Sequence, residues 1–383
     1  MIVVAIGTER RLFTESSTRD RVLSIAKSFD EYHAVIFTLK KDVFAKQYIN
    51  NTILYPTKSF FKILCIIDAV IISIKIIKNI PKDKFKDVVV TTQDPFECGL
   101  VGFIVSKITG CALNIQIHVD LFSPFFKNTF LQYIRIIIAY FVIRQADSIR
   151  CVSKRIMNSL REKKITTAAI DVVPVFIDVK KYEILNNVKI QKKDLFKQER
   201  FLILMASRLE IEKDISMALD VFSKLDLKYP QKIGLVIIGS GSQSLFLKEK
   251  VKRLKIESSV LFIPWINDLA PYYKIADLFW ISSRFEGYGL TIIESLICGT
   301  PVLASDVGIA SEVIIEGRSG WICSPKDSLC FFQKTDYLLD KFEIYQEAKE
   351  YLINNPHKYE YRDRLEYNKV LLMNIQKAIS YNK

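Results

Sequence analysis

The sequence predicts an α/β protein of two domains, each a parallel sheet with helices on both faces. Three observations lead there. The 383 residues are half hydrophobic, enough to bury two cores. Short apolar runs alternate with amphipathic stretches twice over, and a lysine-rich segment around 181–200 (KKYEILNNVKIQKKDLFKQER) separates the two series. Within the second series, 278–304 reads strand, glycine loop, helix, strand, the βαβ arrangement whose helix N-terminus makes an anion site. The boundaries expected are 1–190 for the first domain, 191–358 for the second and 359–383 for a closing helical segment.

In the first half, residues 2–6 (IVVAI) form a strand, and Gly7 and Thr8 follow it where such sheets bind ligands. Arg19–Ser28 reads as the first helix and Ala34–Leu39 as the second strand. Phe60–Ile77 is a helical run flanked by lysines. Val88–Val90 is a buried strand ending in TTQDP, and a helix containing Gly99 and Gly102 follows. Leu113–Ile117 is a strand leading to His118. Phe130–Gln145 is helical, Ser148–Val152 is another strand, and Ile170–Val175 closes this half.

In the second half, Phe201–Ala206 is a strand and Ile215–Tyr229 a helix. Ile233–Ile238 is a strand ending in Gly239-Ser240-Gly241, and Val260–Ile263 is the next. Leu278–Ser282 leads into FEGYGLTIIESLICGTP, and Val302–Ser305, Ala310–Glu316 and Gly320–Cys323 are expected to complete the sheet. No repeat of 20–50 residues is visible.

The formal charge of +13 suits anionic partners: nucleic acid, anionic lipid or phosphorylated small molecules. Seven cysteines sit mostly in apolar runs without metal-ligand spacing, which predicts buried free thiols in a reducing compartment. The apolar N-terminus is too short for a signal peptide. Ile63–Ile77 is interrupted by Asp68 and Lys75, and Leu131–Ile143 by Gln132 and Arg135, so neither reaches the roughly 20 apolar residues of a spanning helix. The expectation is a cytoplasmic chain, soluble or peripheral on the cytoplasmic face of the membrane.

The loop 285–291 carries the chemistry. Gly287 and Gly289 let the backbone bend and approach a ligand, with Tyr288 between them. The amides of Leu290 and Thr291 would open the helix and point at a phosphate. Glu294, one turn inside, suits hydroxyls rather than phosphate, as the acidic residue of a dinucleotide fold grips a ribose. Glu286 would face the other end of the ligand. Read alone, the pair is also compatible with two solvated glutamates on a surface loop. Arg208 and Lys213, just past the first strand of this half, would offer a planar fork and a point charge to a diphosphate, or be ordinary surface cations.

The order SRLEIEK, IIGSGS, then PWINDLAPYYKIADLFWISSRFEGYGLTIIESLICGTPVLASDVGIASEVI, then GRSGWIC resembles the donor domain of glycosyltransferase family 4 over about 200–325. The first half resembles the family more loosely, through TTQDP, the strand before His118, ADSIRCVS and VVPVFID. There the family shows Asn-Gly before the aspartate, where this chain has Val175-Phe176-Ile177-Asp178. The resemblance implies the GT-B fold of two facing Rossmann-like domains, with a last helix crossing back to the first. It also implies retaining transfer of a sugar from a nucleotide-sugar donor. Arg208 and Lys213 would hold the diphosphate and Glu294 the ribose. Glu286 would contact the donor sugar, and the segment Pro264, Trp265 and Ile266 would lie against the base. His118, a structural residue by its position alone, would stand near donor sugar and acceptor. The sequence holds no D-x-D and no His/Cys cluster, so neither metal nor cofactor is expected.

A glycan or lipid-linked acceptor in surface polysaccharide or glycolipid synthesis is expected, with no nucleic acid, because the lysines are scattered rather than interleaved with aromatics on one face. The Phe60–Lys86 stretch suits either contact with anionic membrane or a helix packed on the first sheet with its lysines solvated. A nucleotide-sugar epimerase of the same fold and an inactive sugar-nucleotide- or membrane-binding protein are the alternatives.

Overall fold

A computed structural model describes residues 1–126, 129–179, 182, 190–196, 198, 200–355 and 363–381. The chain divides into two compact units, 1–176 with 363–383, and 177–362. The expected boundaries at 190/191 and 358/359 border or fall in stretches, 183–189 and 356–362, outside the described residues.

The first unit is built on an eight-stranded sheet in the order β3-β4-β2-β1-β5-β6-β7-β8. Its strands are β1 (Ile2–Gly7), β2 (Glu31–Ile36), β3 (Gln47–Ile49), β4 (Thr52–Pro56), β5 (Val88–Thr92), β6 (Ala112–Ile117), β7 (Ser148–Cys151) and β8 (Ala169–Val172). All pairs are parallel except β3 with β4. β1 and the three valines that open β5 read as apolar runs because helices cover both faces of a parallel sheet, while β6 (ALNIQI) carries Asn114 and Gln116 among its apolar residues.

Helices α1 (Ser17–Ala26), α2 (Leu64–Lys78), α3 (Glu97–Thr109), α4 (Phe130–Ile143) and α5 (Lys154–Glu162) connect these strands. Ser16, Thr129 and Ser153 cap α1, α4 and α5 by accepting backbone N–H bonds. α3 lies close on the sheet because Gly102 has no Cβ: one built there would stand 2.4 Å from Thr92 Cγ2.

The second unit carries a six-stranded, wholly parallel sheet in the order β11-β10-β9-β12-β13-β14. Its strands are β9 (Phe201–Ala206), β10 (Ile233–Ile238), β11 (Val260–Ile263), β12 (Leu278–Ile281), β13 (Val302–Ser305) and β14 (Gly320–Cys323). Numbered within the unit this is 3-2-1-4-5-6, the doubly wound order, and its direction reverses between β9 and β12. After the short α6 (Lys192–Leu195) come α7 (Ile215–Lys228), α8 (Ser244–Leu254), α9 (Ala270–Ile275), α10 (Leu290–Ile297), α11 (Ala310–Val313), α12 (Ser328–Asp340) and α13 (Phe342–Asn354). One core, with Trp280 and Phe222, fills one face of this sheet, and a second, with Tyr273 and Phe279, fills the other.

Two expectations need correction. Ala310–Glu316 is not a strand: 310–313 is the short helix α11, entered through Gly308 at φ +55. The cysteines are not all free thiols either. Cys323, at the end of β14, is bonded to Cys330 in the first turn of α12, while Cys65, Cys98, Cys111, Cys151 and Cys298 are free. β14 and α12 place the pair seven residues apart, with Cα atoms 5.8 Å from each other, within disulfide reach.

The last helix, α14 (Arg364–Tyr381), returns to the first unit and packs on β5, β6 and β7. Polar side chains fix it there. Asn114 Nδ2 donates to Asn374 Oδ1 at 3.0 Å, and Asn374 Nδ2 donates to Asp171 Oδ2 at 3.0 Å and to the Ile149 carbonyl at 3.2 Å. Arg150, 4% exposed, donates to the Tyr367 hydroxyl and to the carbonyls of Val173 and Pro174. Buried amides and guanidiniums are tolerated because their donors are matched in this way.

Candidate active site

The candidate site lies at the carboxyl edge of the second sheet, on the loops that follow the adjacent strands β10, β9, β12 and β13. That is where doubly wound sheets take ligands, beside the reversal of strand order.

The loop after β9 makes a single 3-10 turn at Ile211–Lys213, and Asp214 then adopts a left-handed φ of 48° before α7. The loop after β12 runs beside it. Arg284 N–H donates to the Glu212 carbonyl at 2.8 Å, and Ser282 Oγ donates to the Lys213 carbonyl at 2.8 Å. Arg284 grips the 6%-exposed Asp214 through two bonds of 2.9 Å. A bidentate guanidinium–carboxylate pair fixes both position and orientation.

The two loops thereby bring together residues 73 apart: Lys213 Nζ lies 2.7 and 2.8 Å from the two oxygens of Glu286. Their side chains are 12% and 14% exposed, and Ser283 Oγ donates to the same carboxylate at 2.6 Å. Two residues expected to touch opposite parts of one ligand are thus directly paired. Arg208 stands apart, 65% exposed, bonded to Glu212 at 3.0 Å.

Gly239 and Gly241 serve the approach of two backbones. A Cβ on Gly239, whose φ is +154, would lie 1.9 Å from the Ser207 carbonyl oxygen; on Gly241 it would lie 2.4 Å from that of Leu209. Glu210 completes this contact by accepting from the amide and hydroxyl of Ser242. Trp265 is 56% exposed, with its amide 3.4 Å from Ser240 Oγ, and Ile266 packs against the core beneath.

Gly289, at φ +95, is the N-cap of α10, so the helix begins with the amides of Leu290 and Thr291. Gly287 and Tyr288 lie half-buried before it. The Tyr288 carbonyl accepts from Ile309 N–H at 2.9 Å, and Gly308 passes so close that a Cβ would stand 2.3 Å from that oxygen. Glu294 faces the α9 side: Tyr273 donates its hydroxyl to Oε2 at 3.2 Å. Burial pushes the Tyr273 and Tyr182 phenols up, and the Glu294 carboxylate beside them adds to the shift. Burial also holds the nearby Cys298 thiol up at about 12, unreactive at neutral pH.

Gly7 and His118 belong to the first unit. Gly7 ends β1 beside β5, and the Gln93 side chain occupies the space above it, accepting from Thr8 N–H at 2.8 Å. His118 follows β6; burial, with the positive charges of Arg150 and Arg21, lowers its pKa to about 3, so the ring is neutral near pH 7.

Sequence reasoning missed Asp214, Ser282, Ser283, Arg284 and Gly308. The one available signal was their position next to strand ends. Among the described residues, no group of three or more His, Cys, Asp or Glu stands ready for a metal ion.

Residues 186–355 match the family described as glycosyl transferases group 1. Among curated proteins, N-acetyl-alpha-D-glucosaminyl L-malate synthase of Bacillus anthracis is 26% identical over 210 residues, 55% of each chain. Alpha-monoglucosyldiacylglycerol synthase of Streptococcus pneumoniae is 30% identical over 227 residues, 56% of this chain and 51% of that one. The chain spans about half the length of these curated relatives. Among solved structures, Anabaena HepE in complex with UDP superposes with a TM-score of 0.73 over 98% of this chain and 100% of that one, at 16% identity. Sucrose-phosphate synthase of Thermosynechococcus elongatus does so with 0.77 over 99% and 100%, at 15% identity. The stretch 186–355 thus matches the group 1 glycosyltransferases, and the two Rossmann-like units share the GT-B fold of these structures.

Proposed function

We propose that the protein is a retaining glycosyltransferase that moves a sugar from a UDP- or GDP-sugar to a glycan or lipid-linked acceptor in surface polysaccharide or glycolipid synthesis. The observation that carries this reading is the meeting of Lys213 and Glu286 beside the N-terminus of α10, at the reversal of strand order.

In this reading the bond between the anomeric carbon and the diphosphate breaks, and an acceptor hydroxyl takes the carbon on the same face. Negative charge grows on the departing phosphate oxygens. Lys213, held on the paired loops, and the amides of Leu290 and Thr291 at the start of α10 stabilise it, and the exposed Arg208 adds its charge. Glu286 keeps the Lys213 ammonium in place and turns to the donor sugar's hydroxyls when the diphosphate takes the cation. Glu294 accepts from the ribose hydroxyls, with the Tyr273 phenol fixing its carboxylate. Trp265, Ile266 and the loop at Gly239 and Gly241 border the base, and His118, neutral at the end of β6, is the candidate residue of the first unit. No metal is used.

Uridine leads guanosine, supported by the UDP held in the HepE structure. The pneumococcal relative, named for a glucosylated diacylglycerol, supports a lipid-borne acceptor. The test is a thermal-shift series with UDP, GDP, ADP and their sugars on the wild type, Lys213→Ala and Glu294→Ala. A nucleotide at about 100 times its dissociation constant adds roughly 2.7 kcal/mol. One nucleotide series is expected to shift the wild type and neither variant; no shift with any nucleotide refutes the proposal.

A further inference from the structure

Helices α2, α3 and α4 form one layer on the first sheet, α3 packing against both of its neighbours. The inner side of the layer is ordinary core, with Cys65, Ala69 and Ile77 of α2 and Ala139, Val142 and Ile143 of α4 buried. The outer side is not an ordinary surface.

On α2 and the turn before it, Phe60, Phe61, Ile63, Ile67 and Ile71 are 68%, 70%, 70%, 54% and 45% exposed. From Ile63 onward they recur every four residues, a stripe along one face of the helix. On α4, Phe130, Leu131, Ile134, Ile137 and Phe141 are 82%, 54%, 38%, 70% and 50% exposed. Ile108 of α3, 59% exposed, lies between the two stripes in the chain's layer order, and Phe103 of α3 meets Phe141 edge to face at 5.0 Å.

Single exposed apolar side chains are normal; two parallel stripes on one layer are not. α4 (FLQYIRIIIAYFVI) carries one charge, Arg135, and Glu97 neutralises it at 2.8 Å. A helix apolar on every side belongs in a core or in lipid, and the sheet covers only one side of this one. Among the described residues no helix is long and apolar enough to cross a membrane, and a lipid surface met side-on is an occupant that suits such a face.

The charge around the α2 stripe names the kind of lipid. Lys58, Lys62, Lys75 and Lys78 are all exposed there, and Lys40 stands over the Phe60 ring at 4.5 Å. The acid in α2, Asp68, is half-buried and accepts from Ser59 Oγ. Apolar side chains rimmed by ammonium groups complement acyl chains beneath anionic headgroups.

We infer that the outer face of α2–α4 is a docking surface for an anionic lipid bilayer, with the α2 and α4 stripes entering the acyl boundary and the lysines meeting the headgroups. Both stripes take part, so the surface extends well beyond the lysine-flanked run around α2. The inference rests on the first unit alone and stands whether or not the proposed transfer is right.

The experiment is co-sedimentation of the full chain with vesicles of phosphatidylcholine alone and of phosphatidylcholine with phosphatidylglycerol, at low and high salt. Two variants accompany the wild type, Ile67→Ser/Ile71→Ser/Ile137→Ser and Lys58→Glu/Lys62→Glu. These side chains are exposed, so thermal unfolding of both should match the wild type. Expected is binding to the anionic vesicles, weakened by salt, and on the order of tenfold weaker partitioning in each variant. Absence of binding to anionic vesicles overturns the inference, as does binding that neither variant changes. So does concentration-dependent self-association that the serine variant abolishes while vesicles leave the wild type in solution, since that would make a second copy the occupant.

Discussion

The Lys213–Glu286 pair gives the sharpest test of the candidate site. At the 2.7 Å contact, two unit charges attract by about 6 kcal/mol at an effective dielectric near 20. Taking both groups to 12% and 14% exposure costs most of that in lost hydration. The net coupling expected is about 2 kcal/mol. Lys213→Met leaves the carboxylate with Ser283 but without its counter-charge and should cost about 3 kcal/mol. Glu286→Gln keeps an acceptor oxygen and should cost about 2 kcal/mol. The double variant should then cost about 3 kcal/mol rather than about 5, because the second substitution removes an interaction already lost. Urea unfolding of the four proteins measures this, fitted to the transition of the second unit alone because two units need not melt together. A saturating nucleoside diphosphate should shrink the coupling, since the phosphates compete for the same ammonium. Coupling below about 0.5 kcal/mol would show that the contact is incidental and remove the reason for placing chemistry there.

Other features make claims of their own. Gly239→Ala should destabilise the second unit by several kcal/mol and abolish nucleotide shifts, because its Cβ would collide with the Ser207 carbonyl at a φ no alanine favours; urea unfolding checks it. Asn374→Leu should cost about 2–4 kcal/mol in the first unit by leaving Asn114 and Asp171 short of partners, read by the same method. Thiol titration of the denatured, unreduced protein should count five groups and the reduced protein seven. Breaking the Cys323–Cys330 link should cost no more than about 2.5 kcal/mol, the closure entropy of so short a loop. His118 is neutral when folded and protonates near its ordinary value when unfolded. The unfolded state therefore binds the extra proton between pH 6.5 and about 3, and stability falls with falling pH there, by up to about 1.4 kcal/mol per unit. His118→Gln should flatten that slope in acid unfolding curves; an unchanged slope would mean that the ring titrates freely.

The strands were the legible part of the sequence. β1, β10, β12 and the Val88–Val90 opening of β5 are continuous apolar runs because both of their faces are covered, and each carries its signal within a few residues. β3 and β4 were not legible: Gln47–Ile49 is a three-residue, half-exposed edge strand, and Thr52–Pro56 is a short strand between it and β2 whose pairing depends on those neighbours. The reading of 310–316 as a strand failed because apolar content cannot separate a short buried helix from a strand, and Gly308 decides the matter through a φ the sequence does not display. In the site, Gly289 and the start of α10 were legible as local chemistry. The pairing of Lys213 with Glu286, and of Asp214 with Arg284, exists only because β9 and β12 are neighbours in the sheet. The disulfide was hidden for a similar reason, since its two cysteines sit on different elements and share no motif spacing.

The return of α14 has a consequence for how the molecule is made. The first unit is interrupted in the chain by all of 177–362, and the buried partners of Asn114 and Arg150 lie on its last helix. While the ribosome works through the second unit, the β5–β7 face waits with polar groups unmatched and apolar surface open. The second unit is contiguous and can complete first, so the order of maturation runs opposite to the order of synthesis. A chain halted or clipped before Arg364 would carry a finished second unit beside a first one that cannot close. Proteolytic trimming or a bulky fusion at the C-terminal end should therefore be felt in a sheet laid down more than two hundred residues earlier.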